Sequence, residues 1–424
     1  MRAAPKRKSV PTNPASWRSR PLVYATDAIR SFAIGYFSIV FVLIAYHIGI
    51  GALGIGVITA ISVSIGIFIT HFLNKLANKS GVKIPFIIAG ILMTSTGLVA
   101  LFAHSLLMLS LAALFGFLPP SGGIFVAAIA EGMLAQTPSD HRTRVFARNG
   151  LIVTMSGAVG ALFASFPTLI GMSQRNGIQL LTILFSILGV MISIVGWLMV
   201  DSASYTDHLK NQASRSPETD ELKPLTQYDS SKSAINRITL LFIADSAGSG
   251  IVTPTLIIYW LRVHFGLNVV ELSTLFFGLD VLSSVSFPLA VRISNRVGLL
   301  NTAVFTHIPS SILLIAVPFA PTGIVAALLL LARSVLVEMD VPTRQSYIAS
   351  IVAPNMRRFA AARTSMGKQT GRAIGPAIGG FIYTSVGSLA PFMLGGIVKI
   401  AYDLTLWRSF RNIVVHEDPQ SSWE

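Results

Sequence analysis

Twelve apolar stretches, each about as long as a bilayer is thick, fill most of this chain, and their pattern repeats halfway along it. A span needs ~20 mostly apolar residues. The stretches run over about 22–48, 52–73, 84–104, 106–134, 144–170, 177–200, 235–262, 269–291, 299–319, 322–343, 361–384 and 388–408. Asn78-Lys79-Ser80-Gly81 follows the second stretch, and Asn295-Arg296-Val297-Gly298 follows the eighth, 217 residues on. Asp27 lies early in the first and Asp245 early in the seventh, 218 residues on. Pro138 returns as Pro354, 216 residues on. An offset held within two residues across three unlike landmarks implies two related halves running in the same direction. The expected fold class is an all-α membrane protein of 12 transmembrane helices in two pseudo-symmetric six-helix halves. The division is a basic tail over 1–21, a first half over 22–200, a polar linker over 201–234, a second half over 235–410 and a tail over 411–424.

Charge fits this reading. Only 12% of residues are charged, against about 25% in soluble domains. The formal charge of +14 would suggest nucleic acid in a soluble protein. Here Lys75, Lys79, Lys83, Arg142, Arg144, Lys210, Arg215, Lys223, Lys232, Arg292, Arg296, Arg357 and Arg358 fall in loops on the face of the N-terminus. The opposite loops carry only Arg175 and Arg262. Positive charge collects on the cytoplasmic side of a membrane, so both termini are expected there, and no nucleic-acid partner is. The start resembles the basic region of a signal peptide, but the apolar stretch after it is too long, so an uncleaved first helix is expected. The chain has no cysteine, which removes disulfides, thiol nucleophiles and Cys-based metal sites. His47 and His104 lack metal-ligand spacing.

The loop after the second helix resembles the signature of the major facilitator superfamily, prokaryotic type. That signature runs Gly, three residues, Asp, basic, any, Gly, then basic residues. Lys79 with Gly81, and Arg296 with Gly298, match its basic residue and Gly. Asn78 and Asn295 stand where the family has Asp, and the leading Gly is missing. The family's Asp helps latch the two halves together, so this resemblance implies the fold without that charged latch. Gly81 and Gly298 suit a tight turn. Glu338, Asp340 and Arg344, with the later Gly375-Pro376-Ala377-Ile378-Gly379-Gly380, resemble the matching region of many members. The resemblance implies a transporter with helices 1, 4, 7 and 10 lining its path, and a plasma membrane as the default location.

Charges within the helices carry the functional argument, because one at a helix centre costs ~2.5–3.5 kcal/mol on insertion scales. Asp27 and Arg30 are three apart on one helix face. They read either as a self-contained ion pair or as a proton or cation site with its partner. Asp245 occupies the matching place in helix seven, but Gly248 replaces the basic partner. It must find another cation, bind a proton or face water, which makes it the leading proton-coupling candidate. Arg333 lies about 17 Å along helix ten at 1.5 Å per residue, near the midplane where such proteins hold solutes. It reads as a solute contact or as an ion pair to Asp280 or Asp245. Gly367, Gly371, Gly375 and Gly379 recur every fourth residue on helix eleven and allow close backbone approach. Lys368 and Arg372 stand beside that ridge, either paired to acids on helices seven, eight or ten or forming an anion-binding wall. Lys399 and Asp403, four apart on helix twelve, are expected to pair with each other. His307 reads as a satisfied helix histidine.

No nucleotide-binding loop is present: Gly367-Lys368 lacks the upstream Gly and downstream Ser/Thr. No nucleophilic triad or paired catalytic carboxylates appear. The expectation is therefore not an enzyme, with no cofactor and no metal. It is a secondary transporter of a small-molecule solute, driven by a proton or another ion, with the two halves rocking about a midplane site. An exporter of amphipathic or cationic compounds, and a non-transporting receptor with a transporter fold, are the alternatives. The oligomeric state is left open, a monomer sufficing.

Overall fold

The computed structural model describes residues 14–119, 121–134, 139–199, 225–339 and 357–411. Asp340 and Arg344 lie outside the described residues, as do residues 1–13 of the N-terminal tail, 201–224 of the linker and 412–424 of the C-terminal tail. Every regular element among the described residues is a helix. Spans are numbered here in chain order.

Spans 1, 2 and 3 are Pro14–Ile48, Ala52–Ser80 and Lys83–Leu101. Span 4 is broken into Leu106–Ala113 and Ile124–Leu134, where one continuous helix was expected. The break contains Gly116, Gly122 and Gly123, all at positive φ, a region that favours glycine. Span 5 is Ser139–Phe163 with a short continuation at Phe166–Leu169, and span 6 is Gln174–Leu198. Span 7 is likewise split, into Leu225–Ile251 and Pro254–Phe265. Thr253 restarts it, its hydroxyl accepting from the backbone N–H of Leu256 at 3.2 Å, with Pro254 in the first turn where no N–H is needed. Spans 8 and 9 are Val269–Val297 and Leu299–Ala316, and span 10 is Gly323–Val337. Spans 11 and 12 are Arg357–Ser385 and Ala390–Phe410.

Eight of these helices are long and apolar enough to cross a membrane unaided. The other four depart for visible reasons. Span 4 is interrupted, span 10 is short, and spans 11 and 12 carry Arg363, Lys368 and Arg372, and Lys399 and Asp403. Their polar groups are tolerable only where protein surrounds them.

The repeated loops close alike. Gly81 and Gly298 sit at φ 81° and 86°. Their N–H groups donate to Ala77 O at 3.0 Å and Ser294 O at 2.9 Å.

Glycine sets the tightest packing within each half. In the first, Gly35 and Gly160 bring span 1 onto span 5. In the second, a Cβ on Gly371 would lie 2.5 Å from Ile243 O, and one on Gly375 would lie 2.5 Å from Gly250 Cα. Gly379 meets Ile251, and Gly367 meets Thr239. The whole ridge of span 11 therefore lies on span 7, with Pro376 in the same contact. Packing between the halves runs through spans 2 and 11, 5 and 8, and 1 and 7. Away from the termini this seam is shut: Gly56 packs on Pro376 and Gly380, and Arg262 lies over the Tyr46 ring at 5.6 Å.

Candidate functional site

Three groups of polar side chains sit inside the helical body. The first belongs to the N-terminal half. Arg30 Nε lies 3.6 Å from Asp27 Oδ1, and Asn149 Nδ2 of span 5 donates to Asp27 Oδ2 at 2.9 Å. Arg30 Nη1 donates to Gly122 O at 3.1 Å, inside the break of span 4. Ser62 donates to Leu118 O at 2.9 Å and lies 2.8 Å from the Ser121 hydroxyl. Irregular backbone at bilayer depth persists only where protein satisfies its freed groups, and Arg30 and Ser62 do that here. Sequence reasoning had Asp27 and Arg30 but not Asn149, Ser62 or the break. The run Pro119-Pro120-Ser121-Gly122-Gly123 was the signal for it.

The second group lies at the seam between the halves. Asp280 of span 8 is half-buried, and its Oδ2 stands 3.9 Å from where a Cβ on Gly157 of span 5 would be. Glu338 acts electrostatically on both Asp280 and Arg333. Among the described residues, Arg333 forms no ion pair with Asp280 or Asp245, the structural one of its two expected readings. Its Nε is buried with no hydrogen-bond partner. Lys368 of span 11 places its ammonium 4.6 Å from the centre of the Phe242 ring, a cation–π contact. Arg372 is exposed. The sequence brought these residues together only as a list; the structure separates Lys368, against span 7, from Asp280 and Arg333.

The third group is a buried cluster in the C-terminal half. Lys399 Nζ of span 12 lies 3.4 Å from Asp245 Oδ1 and 3.2 Å from His307 Nε2 of span 9. His307 Nδ1 lies 2.8 Å from Asp403 Oδ2. The expected Lys399–Asp403 pair within span 12 is therefore replaced. Spacing four apart permits that pair, but it would leave Asp245 and His307 without these partners in the interior. Charge satisfaction across helices wins. Asp245 does find a cation, 154 positions away in the chain.

Helical halves in parallel repeat, broken spans 4 and 7, and charges at bilayer depth define a multi-pass membrane protein of transporter architecture. The Major Facilitator Superfamily model matches residues 25–332 and 238–422. The chain belongs to that family, which makes it a secondary transporter and not an enzyme. An uncharacterized membrane protein of Saccharomyces cerevisiae, YJR124C, is 23% identical over 421 residues, covering 92% of this chain and 93% of the relative. Two solved structures share the fold, each at 12% identity and over 93% of this chain. A mutant of the nucleoside transporter NupG aligns over 99% of its length with a TM-score of 0.69. The xylose transporter XylE from E. coli, in a partially occluded inward-open conformation, aligns over 98% with a TM-score of 0.65.

Proposed function

We propose that the protein moves a small polar solute across a plasma membrane by alternating access, driven by protons, with both termini in the cytoplasm. The observation that carries the solute half of this reading is the seam group. Asp280 stands at the junction of the two halves, facing Gly157 of span 5, and Glu338 acts electrostatically on both Asp280 and Arg333; rocking of the halves would expose this charge to each side in turn. Charges there add nothing to packing and are costly unless they meet something polar. Arg333, with its unpartnered buried Nε, is the side chain proposed to hold an electron-rich group of the solute. Lys368 and Arg372 extend the positive character along span 11.

Proton drive rests on a different argument. The sequence has no nucleotide-binding motif, so energy must come from a gradient. Asp245 supports proton coupling because it is a buried carboxylate whose lysine, Lys399, also contacts His307. Asp27 has Arg30 and Asn149 to itself, so its protonation is assigned the lesser part.

Protein in liposomes holding a pH-sensitive dye tests this. A panel of small solutes is applied to wild type and to Asp245→Asn. Solute-dependent proton movement in the wild type, lost in the variant, is the expected result. Solute uptake without proton movement would overturn the coupling. Silence across a broad panel by folded protein would overturn transport itself.

A further inference from the structure

Asp280 of span 8 is the carboxylate that the packing leaves over. It is half-buried and, among the described residues, takes part in no hydrogen bond or ion pair. Its oxygens are not sealed from solvent, as the Nε of Arg333 is. Its Oδ2 faces Gly157 of span 5, which belongs to the other half. Packing does not demand a glycine at that position. A Cβ on Gly160, one turn on, would collide with Phe32 O. A Cβ on Gly157 would meet nothing nearer than Ser31 O at 3.8 Å and Asp280 Oδ2 at 3.9 Å. The space beside Gly157 therefore has room for at least a methyl group. Two hydrogen-bond acceptors border it, and one of them is charged.

The nearby cations of the protein do not answer this carboxylate. Arg30, next to Ser31, lies 3.6 Å from Asp27 and donates to Gly122 O at 3.1 Å. Arg333 is close in the fold. Ser283, one turn along span 8 from Asp280, sets its hydroxyl 3.4 Å from Ser334 O, the residue after Arg333. Ser286 ties the same two spans together, donating to Ser334 O at 3.1 Å and to Val335 O at 2.6 Å. With spans 8 and 10 fixed in this way, Arg333 still forms no ion pair with Asp280. Glu338, which acts on Asp280, is itself an acid and brings no counter-charge.

A charged side chain at bilayer depth pairs with another group or marks a pathway, and pairing within the protein is not what Asp280 does. An ammonium carries only donors, which suits a carboxylate with a carbonyl across from it. A hydroxyl would donate to one of the two but leave the charge unmatched, and an unmatched charge away from water is costly. We propose, resting on the transport reading above, that the solute carries a protonated amine, which Asp280 binds opposite Gly157 at the seam. Ser31 O is its second acceptor, so the amine touches both halves at once. With Arg333 holding the electron-rich group, the solute class is that of amino acids, amino sugars and amino alcohols.

Matched solutes separate charge from shape. A broad panel of amines is used, each beside the compound in which a hydroxyl replaces the amine: glucosamine with glucose, alanine with lactate, ethanolamine with ethylene glycol. Binding to purified protein in detergent is read by calorimetry and thermal shift, with no transport required. Binding is expected for an amine and not for its hydroxyl counterpart. It should weaken roughly 30-fold or more in Asp280→Asn. Gly157→Ala, which the packing admits, should weaken it too by filling the space. Equal binding of an amine and its counterpart, amine binding unchanged in Asp280→Asn, or no amine bound by folded wild type would overturn the proposal. If Asp280→Asn fails to fold, the matched solutes and Gly157→Ala still decide. An amine bound through Asp280 but never carried across liposomes would sink the transport reading and leave the site standing. Flux of a sugar or an anion that Asp280→Asn leaves intact would sink the amine and leave transport standing.

Discussion

Gly380 closes the seam at the end of the molecule away from the termini, and a single methyl group there tests whether that closure is one state of two. A Cβ on Gly380 would sit 2.5 Å from Ala52 O and 3.0 Å from Leu53 Cα. Both are backbone atoms, which cannot swing aside as the end of a side chain can. Ordinary contact starts at 3.4 Å, so spans 2 and 11 must part by about 0.9 Å, the difference between those two distances, to admit Gly380→Ala. Overpacking of this kind costs ~1–3 kcal/mol. The cost falls only on the state in which the two spans touch, so the ratio of open to closed should rise about 5- to 150-fold, at tenfold per 1.4 kcal/mol. Gly56→Ala acts on the same contact, its Cβ 3.1 Å from Gly380 Cα, and the double variant gives the larger shift. The natural chain contains no cysteine, so His104→Cys and Pro321→Cys accept spin labels without background. These exposed positions lie on opposite halves, in the loops between spans 3 and 4 and between spans 9 and 10. Distance distributions between them should gain a longer component in the double variant. The control is Gly150→Ala, where a Cβ would meet nothing within 4 Å. A folded double variant with the wild-type distribution would refute the idea that this contact is a gate.

Two further outcomes concern the N-terminal half. Asp27→Ala should lower stability by ~3–5 kcal/mol, because it leaves the Arg30 charge buried without its carboxylate. The joint change Asp27→Leu with Arg30→Met should recover part of that loss, as read by thermal unfolding in detergent; a double variant as unstable as the single one would contradict the pairing. Ser62→Ala should cost ~0.5–1.5 kcal/mol, the net worth of one hydrogen bond, because the Leu118 carbonyl keeps the hydroxyl and N–H of Ser121. No change in melting temperature would mean the break is satisfied in another way.

How far the chain could be read depended on whether a feature is local. The halves were legible because hydropathy and the Lys79-Ser80-Gly81 and Arg296-Val297-Gly298 turns depend on neighbours in sequence. The glycine ridge of span 11 was legible as a face, since Gly367, Gly371, Gly375 and Gly379 share one by spacing alone. That span 7 would fill it was not. The break in span 4 was missed although Pro119-Pro120-Ser121-Gly122-Gly123 marks it, because the apolar residues on either side read as one helix. The cluster around His307 was the hardest to see. Its members come from three helices, and the spacing of Lys399 and Asp403 offers a local pair that the folded chain rejects. Two acids, a lysine and a histidine can be sorted into several pairings, and only the packing of spans 7, 9 and 12 selects one.

The two halves of this repeat solve one packing problem in opposite ways. In the first, span 3 meets span 6 through small residues: Gly90 lies against Gly189, and Gly97 against Ser186. Thr94 donates to Ser186 O at 3.1 Å, and Ser193 to Ile87 O at 3.1 Å. These groups are neutral, and no change of pH within the stable range alters them. In the second half, spans 9 and 12 occupy the corresponding places, and the link at bilayer depth is His307 to Asp403. A contact built of hydroxyls, amides and glycine is fixed once packed. A contact built of imidazole, ammonium and carboxylates has at least two proton states with different hydrogen bonds. The same fold thus joins spans 3 and 6 of one half through uncharged groups and spans 9 and 12 of the other through a histidine and a carboxylate. Span 7, which holds Asp245, also carries the glycine ridge of span 11 on its surface. Span 11 in turn meets span 2 at Gly56 and Gly380. Spans 7, 11 and 2 are thus joined in series by two backbone-to-backbone contacts.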